Sequence, residues 1–217
     1  MKVLIIAPHN DDEILGVGGT IARHVAQGDE VYVCEVTSSL VEERKTLLQN
    51  EAKKAHRLIG VKDTIFLNFT VVELPHEEIR KFNKAIFDVI KGIEPEIVYL
   101  PFYGDMHADH KAVADSVMVA VRPLAAPWIR EVYMYETLSE TGWNYPTVDK
   151  AFIPNYFVNI TEYIDIKESA MKCYESQLNE YPHPRSIRAI KALAGFRGSN
   201  IGVEYAEAFM CIRRVFM

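Results

Sequence analysis

Four short runs of β-branched and aliphatic residues, at 3–7, 31–36, 65–69 and 97–101, alternate with longer segments of helical periodicity. That alternation constrains the fold more than any other feature of the chain, because it is the pattern of a layered α/β domain with a mainly parallel sheet. Between the runs, residues 16–27 place Val17, Ile21 and Val25 on one helical stripe before Gly28-Asp29 stops it. A charged helix is expected over 42–59, ending at Gly60, and an amphipathic one over 76–90, with Gly92 and Pro95 beyond it. The order is that of a Rossmann-like half-domain. Right-handed crossovers then bring all four strand C-terminal ends to one edge, where open α/β sheets place their ligands.

The second half is less regular, with prolines at 123, 127, 146, 154, 182 and 184. Strands are expected at 132–136, 156–160 and 208–213, and a helix at 163–178 that packs back on the first half. The topology and role of residues 120–160 do not follow from the pattern. No repeat, low-complexity tract or long linker divides the chain, so residues 1–217 are expected to form a single domain.

Thirty acidic and twenty-four basic side chains give a net charge of -6, with both signs interleaved along the chain. A broad basic face for nucleic acid is therefore not expected. Cys34, Cys173 and Cys211 lie far apart and form no C-x-x-C pair, which suits a reducing cytoplasm. Residues 3–7 are too few for a signal-peptide core, and no later apolar run approaches membrane-spanning length, so a soluble protein without membrane contact is expected.

The chemistry concentrates in two loops. Pro8-His9-Asn10-Asp11-Asp12-Glu13 follows the first strand directly, and adjacent aspartates at the top of a sheet call for a nearby cation. Tyr103-Gly104-Asp105-Met106-His107-Ala108-Asp109-His110 follows the fourth strand and opens at the same edge. Strands one and four can be neighbours in a doubly wound sheet, so His9 and Asp12 can converge with His110. Two histidines and a carboxylate suit catalytic zinc, which keeps a position open for water, and iron(II) or another divalent ion also fits such a set. Zinc lowers the pKa of its water to about 7, and Asp11 is placed to take the proton as a carbonyl carbon is attacked. His107 is near enough to supply a proton or stabilise the oxyanion, and Asp109 to hold its ring in the useful tautomer.

Pro-His-Asn-Asp-Asp-Glu followed by His-Ala-Asp-His resembles the metal-binding signature of the LmbE-like, or PIG-L, family of zinc N-deacetylases. The resemblance extends to Gly18-Gly19-Thr20, Glu51-Ala52, Lys167 through Ala170 to Tyr174, Ser176-Gln177, Arg197-Gly198 and Tyr205 through Phe209. It implies a Rossmann-like fold, His9, Asp12 and His110 as metal ligands, and Asp11 as general base. It further implies His107 as acid or oxyanion stabiliser, Asp109 as its orienting partner, and removal of acetyl from an N-acetylglucosamine-type conjugate, a small-molecule substrate. Family members are often homo-oligomers, and the resemblance extends that expectation here. Two positions depart from the family pattern. Asn10 stands where many relatives carry proline, and Leu48 where they carry a sugar-contacting arginine; Arg44, one helical turn away, is the substitute candidate for substrate binding.

Blander readings stand beside these. Asp11 and Asp12 can cap a helix, and His24, His56, His76 and His183 read as surface or internally satisfied residues. Gly16-x-Gly18-Gly19 lacks the spacing of a dinucleotide fingerprint. Trp128, Tyr133, Tyr135 and Trp143 read as core before sugar platform. Arg197, Glu204 and Glu207 either close over the site or form structural ion pairs. A zinc amidase acting on a non-sugar N-acyl group and an inactive metal- or sugar-binding protein are the alternative functions. The base Asp11 argues against the binder, which needs ligands only.

Overall fold

The computed structural model describes residues 1–216. Its first strand, β1 (Lys2–Ala7), is buried at every position after Lys2, with Val3 and Ile5 in one apolar core and Leu4 and Ile6 in the other. An unbroken apolar run is what a strand covered on both faces requires. The chain continues through α1 (Asp12–Ala26), β2 (Glu30–Ser38), α2 (Glu42–Ile59), β3 (Asp63–Thr70), α3 (Ile79–Ile93) and β4 (Ile97–Pro101). Next come α4 (Ala108–Ala120), β5 (Glu131–Tyr135), α5 (Leu138–Thr141), β6 (Tyr156–Asn159), α6 (Ile164–Met171), α7 (Ile187–Ser199) and β7 (Ala206–Arg214). The strands form a single sheet in the order β3-β2-β1-β4-β5-β7-β6. The first five are parallel, and β7 runs antiparallel to both β5 and β6.

The direction of winding reverses between β1 and β4. That is the switch point at which doubly wound sheets open a crevice beyond their strand ends. The two polar loops read from the sequence leave these two strands, so the fold alone brings them together.

Three helices had no counterpart in the sequence reading: α4, which grows directly out of the second polar loop, the short α5, and α7. The helix expected at 163–178 ends at Met171. Beyond it the chain turns so that Ser176 can donate its N–H and Oγ to Glu51 at 2.9 and 2.6 Å. The helix expected at 76–90 lies at Ile79–Ile93, behind a short 3₁₀ turn at Leu74–His76.

Beside α1, Lys167 and Glu207 form a buried ion pair at 2.6 Å. Glu207 accepts the N–H groups of Gly19 and Thr20, and Lys167 donates to the Leu15 carbonyl. Gly19 lies so close to Ile160 that a Cβ there would stand 2.7–2.8 Å from that side chain. Glycine at this position therefore serves helix packing rather than phosphate binding. Tyr133 and Tyr135 belong to the core, as expected.

Candidate metal centre and cleft

Asp11 ends the loop after β1 with φ 118° and ψ -24°, a conformation that L-residues adopt rarely. This bend turns Asp12 down into the first turn of α1, four residues before the expected helix start, where it is fully buried. From the other side, β4 ends at Pro101 and α4 begins at Ala108, which carries His110 in its first turn. The structure brings together His9, Asp12 and His110. His9 Nδ1 and His110 Nε2 lie 3.2 and 3.1 Å from Asp12 Oδ2 and 3.3 Å from each other.

Donor atoms bound at zinc-like distances around one tetrahedral centre stand about 3.3–3.4 Å apart. The three atoms therefore already have the spacing of three corners around a shared ion. Their remaining hydrogen bonds agree. His110 Nδ1 donates to Asp105 Oδ2 at 2.8 Å and His9 Nε2 to Asp109 Oδ2 at 3.1 Å, which leaves the facing nitrogens with free lone pairs. Asp12 Oδ1 is buried without a partner. The residues present fit a divalent cation.

The structure changes one assignment and adds another. The Asp109 carboxylate does not hold the His107 ring: its Oδ2 is 3.9 Å from His107 Nδ1 and instead receives His9 Nε2 and the Val72 N–H. It is the main-chain N–H of Asp109 that donates to His107 Nδ1, at 3.1 Å, because His107 is the N-cap of α4. This contact fixes the proton of neutral His107 on Nε2. Burial and the neighbouring His9 lower its pKa to about 4, so at neutral pH the ring is uncharged. The addition is Asp105, unassigned in the sequence reading, which performs for His110 the service that Asp109 performs for His9. No spacing rule distinguishes it from its polar neighbours.

Above this floor opens a cleft of about 230 Å³ lined by His9, Asn10, Asp11, Ser38, Arg44, Leu48, His107, Glu140, Gln177 and Arg185, among others. Arg44 and Leu48 reach it from successive turns of α2, which places the substitute arginine at the rim. Arg185 was missed by sequence reasoning. It comes from the proline-rich segment before α7 and sets its Nε 3.3 Å from Asp11 Oδ2. Burial raises Asp11 well above the usual carboxylate range, partly opposed by Arg185. None of Trp128, Tyr133, Tyr135 and Trp143 lines the cleft. Arg197 makes a two-pronged ion pair with Glu136 at 2.7 Å, so Arg197 and Glu207 are structural here.

Residues 4–121, more than half of the chain, match the family described as PIG-L: GlcNAc-PI de-N-acetylase. The chain belongs to the PIG-L family. Over its full length this PIG-L chain is 29% identical to the diacetylchitobiose deacetylase of Thermococcus kodakarensis, covering 85% of that protein. Among solved structures, the conserved protein TT1542 of Thermus thermophilus superimposes with a TM-score of 0.80 at 28% identity, over 99% of this chain and 96% of that one. The N,N'-diacetylchitobiose deacetylase of Pyrococcus horikoshii gives 0.78 at 26% identity, over 98% and 84%. The Rossmann-like expectation of a mainly parallel sheet flanked by helices is thus met. Among the described residues, no helix is long and apolar enough to cross a membrane.

Proposed function

We propose that this PIG-L protein hydrolyses the acetamide of an N-acetylated amino sugar of the N-acetylglucosamine type, yielding acetate and the free amine, with zinc held by His9, Asp12 and His110. The observation that carries the proposal is the convergence of three ligand atoms, 3.1–3.3 Å apart, at the floor of a cleft beside a buried aspartate. Bound there, a divalent cation would act as a Lewis acid and make water nucleophilic at neutral pH.

The protein's own groups supply the rest. Asp11 lines the cleft, and its Oδ2, beside Arg185, makes no hydrogen bond, which supports this carboxylate as the acceptor for the proton of the attacking water. Burial raises its basicity, while Arg185 beside it favours the ionised form and orients the carboxylate. Attack on the acetamide carbon places negative charge on the carbonyl oxygen. The Nε2–H of neutral His107 is fixed toward this charge by the N-cap contact at Nδ1. Asp11 then returns its proton to the amine nitrogen as the C–N bond breaks. Arg44 at the rim contacts the sugar conjugate, and the Leu48 side chain lies beside it where relatives place arginine.

The test is acetate release from a panel of N-acetylglucosamine derivatives and non-sugar N-acetyl amides, with metal content measured in every sample. Zinc-dependent release, with Asp11→Asn retaining its metal but losing about 10²- to 10⁴-fold in kcat, is the expected result. Turnover confined to the non-sugar amides would overturn the sugar assignment. Full activity of metal-replete Asp11→Asn would remove Asp11 as the base.

A further inference from the structure

Beneath the cleft lies a second cluster of ionisable groups that the mechanism above does not use. Glu13, Glu35, His56 and Tyr174 are each at most 2% exposed, and they come from α1, β2, α2 and the turn after α6. Glu13 is at the centre. Its Oε1 accepts from the Tyr174 hydroxyl at 2.6 Å and from His56 Nε2 at 3.1 Å, while His56 Nδ1 is paired with Thr64 Oγ1 at 2.8 Å. Its Oε2 accepts the main-chain N–H of Asp11 at 3.2 Å. Glu35 lies behind, 3.6 Å from His56 Nε2 and with both oxygens unpartnered.

Glu13, Glu35 and His56 are close enough to share a cation. Glu13 Oε1 is nevertheless already occupied by two donors, and burial together with Glu13 pushes Glu35 well above the usual carboxylate range, toward a neutral acid. The arrangement is a hydrogen-bonded clamp. Clamps of this kind are not built for stability, since replacing buried ionic groups by well-packed apolar ones is often neutral or stabilising. Besides Thr64, which pairs with His56, the clamp holds the N–H of Asp11, the residue at φ 118°. Strained backbone of this sort persists only where its surroundings over-determine it.

We propose that Glu13, fixed by Tyr174 and His56, is a positioning residue that acts through the Asp11 main chain to hold the Asp11 carboxylate at its reactive place in the cleft. The proposal rests on the reading of Asp11 as the base. Asp11 and Asp12 are adjacent, so the same bend sends one side chain to the cleft and the other to the metal floor. A displacement of about 1 Å in a catalytic group can cost about 10²-fold in rate. Removing one donor to Glu13 should therefore register in kcat before it registers in the fold.

The experiment uses Tyr174→Phe, which deletes a single buried hydroxyl, and Glu13→Gln, each compared with wild type in the Asp11 and Asp11→Asn backgrounds. Metal stoichiometry, thermal stability, kcat and KM are measured, and crystal structures of both variants are determined. The expected result is a fall in kcat of about tenfold for Tyr174→Phe, and more for Glu13→Gln, at unchanged KM and metal content. Neither substitution should cost anything further in the Asp11→Asn background, because both act through the same carboxylate. The crystal structures should show Asp11 shifted from φ near 118° and its Oδ2 withdrawn from Arg185. Lowered stability with unchanged kcat per bound metal would overturn the proposal. So would an equal loss in the Asp11→Asn background, or an unmoved Asp11 in the variant structures. The structural readout decides even if the wild type deacetylates no sugar, a result that would sink the functional reading instead.

Discussion

His9 and His110 owe their usefulness to the carboxylates behind them. An imidazole presents a lone pair to a cation only if its other nitrogen carries the proton, and Asp109 and Asp105 settle that choice for the two rings. Asp109 is the more demanding position, because its carboxylate also receives the Val72 N–H at 2.7 Å and the Leu74 N–H at 3.3 Å, which ties the 71–74 loop to the site. Replacing Asp109 by alanine should weaken zinc binding about 10- to 100-fold, as loss of such partners commonly does. Competition titration against a chelator of known affinity measures it. Unchanged affinity would mean that His9 keeps its tautomer without Asp109. The sequence shows which residue types meet at this site, but not which of them pair. Asp109 lies two residues from His107, which suggested that it orients that ring. The helix starting at Ala108 instead turns its carboxylate away toward His9 and offers its N–H to His107.

At the scale of elements, the first five strands were legible as strands because parallel strands covered on both faces leave nearly pure apolar runs, as in β1 and β4, whereas of their order only the adjacency of β1 and β4 was anticipated. The missed helix α4 shows where that logic fails. Its N-terminal turn is made of site residues, so Asp109 and His110 are buried where periodicity leads one to expect exposed polar positions. Arg185 was invisible for a related reason, since its contact with Asp11 depends on a segment without regular structure. Lys167, by contrast, was recognised only as a family position and Glu207 as a residue that either closes over the site or forms an ion pair, and the structure gives both a physical task. They pin α6 and β7 to the middle of α1 through Leu15, Gly19 and Thr20. Lys167→Met should destabilise the protein by about 3–5 kcal/mol, because it leaves the buried Glu207 carboxylate without its counter-charge. Urea unfolding would show this as a lower midpoint at an unchanged slope. A loss below about 1 kcal/mol would mean that the two helix N–H groups alone satisfy Glu207.

For the molecule as a whole, the proposed metal site closes a long loop. His9 and Asp12 follow β1 and His110 follows β4, so an ion bound by all three joins segments about a hundred residues apart across the switch point of the sheet. The ligand atoms gather only in the folded chain, since their spacing depends on β1 lying beside β4 and on the bend at Asp11. Zinc should therefore bind the native state in preference to the unfolded one and raise stability by mass action, by about 2.7 kcal/mol when free zinc is 100 times its dissociation constant. For a chain of this length each kcal/mol moves the midpoint by about 2–4 °C, so zinc should raise the thermal transition of metal-free protein by roughly 5–11 °C, and chelation should reverse the rise. The same shift should be small in His110→Ala, which removes the ligand from α4 and with it the link between the two halves. Calorimetry of wild type and His110→Ala, with and without zinc, tests this independently of any substrate. A zinc-induced rise of equal size in both proteins would place the stabilising ion elsewhere and would break the connection between the crevice of the fold and the proposed metal.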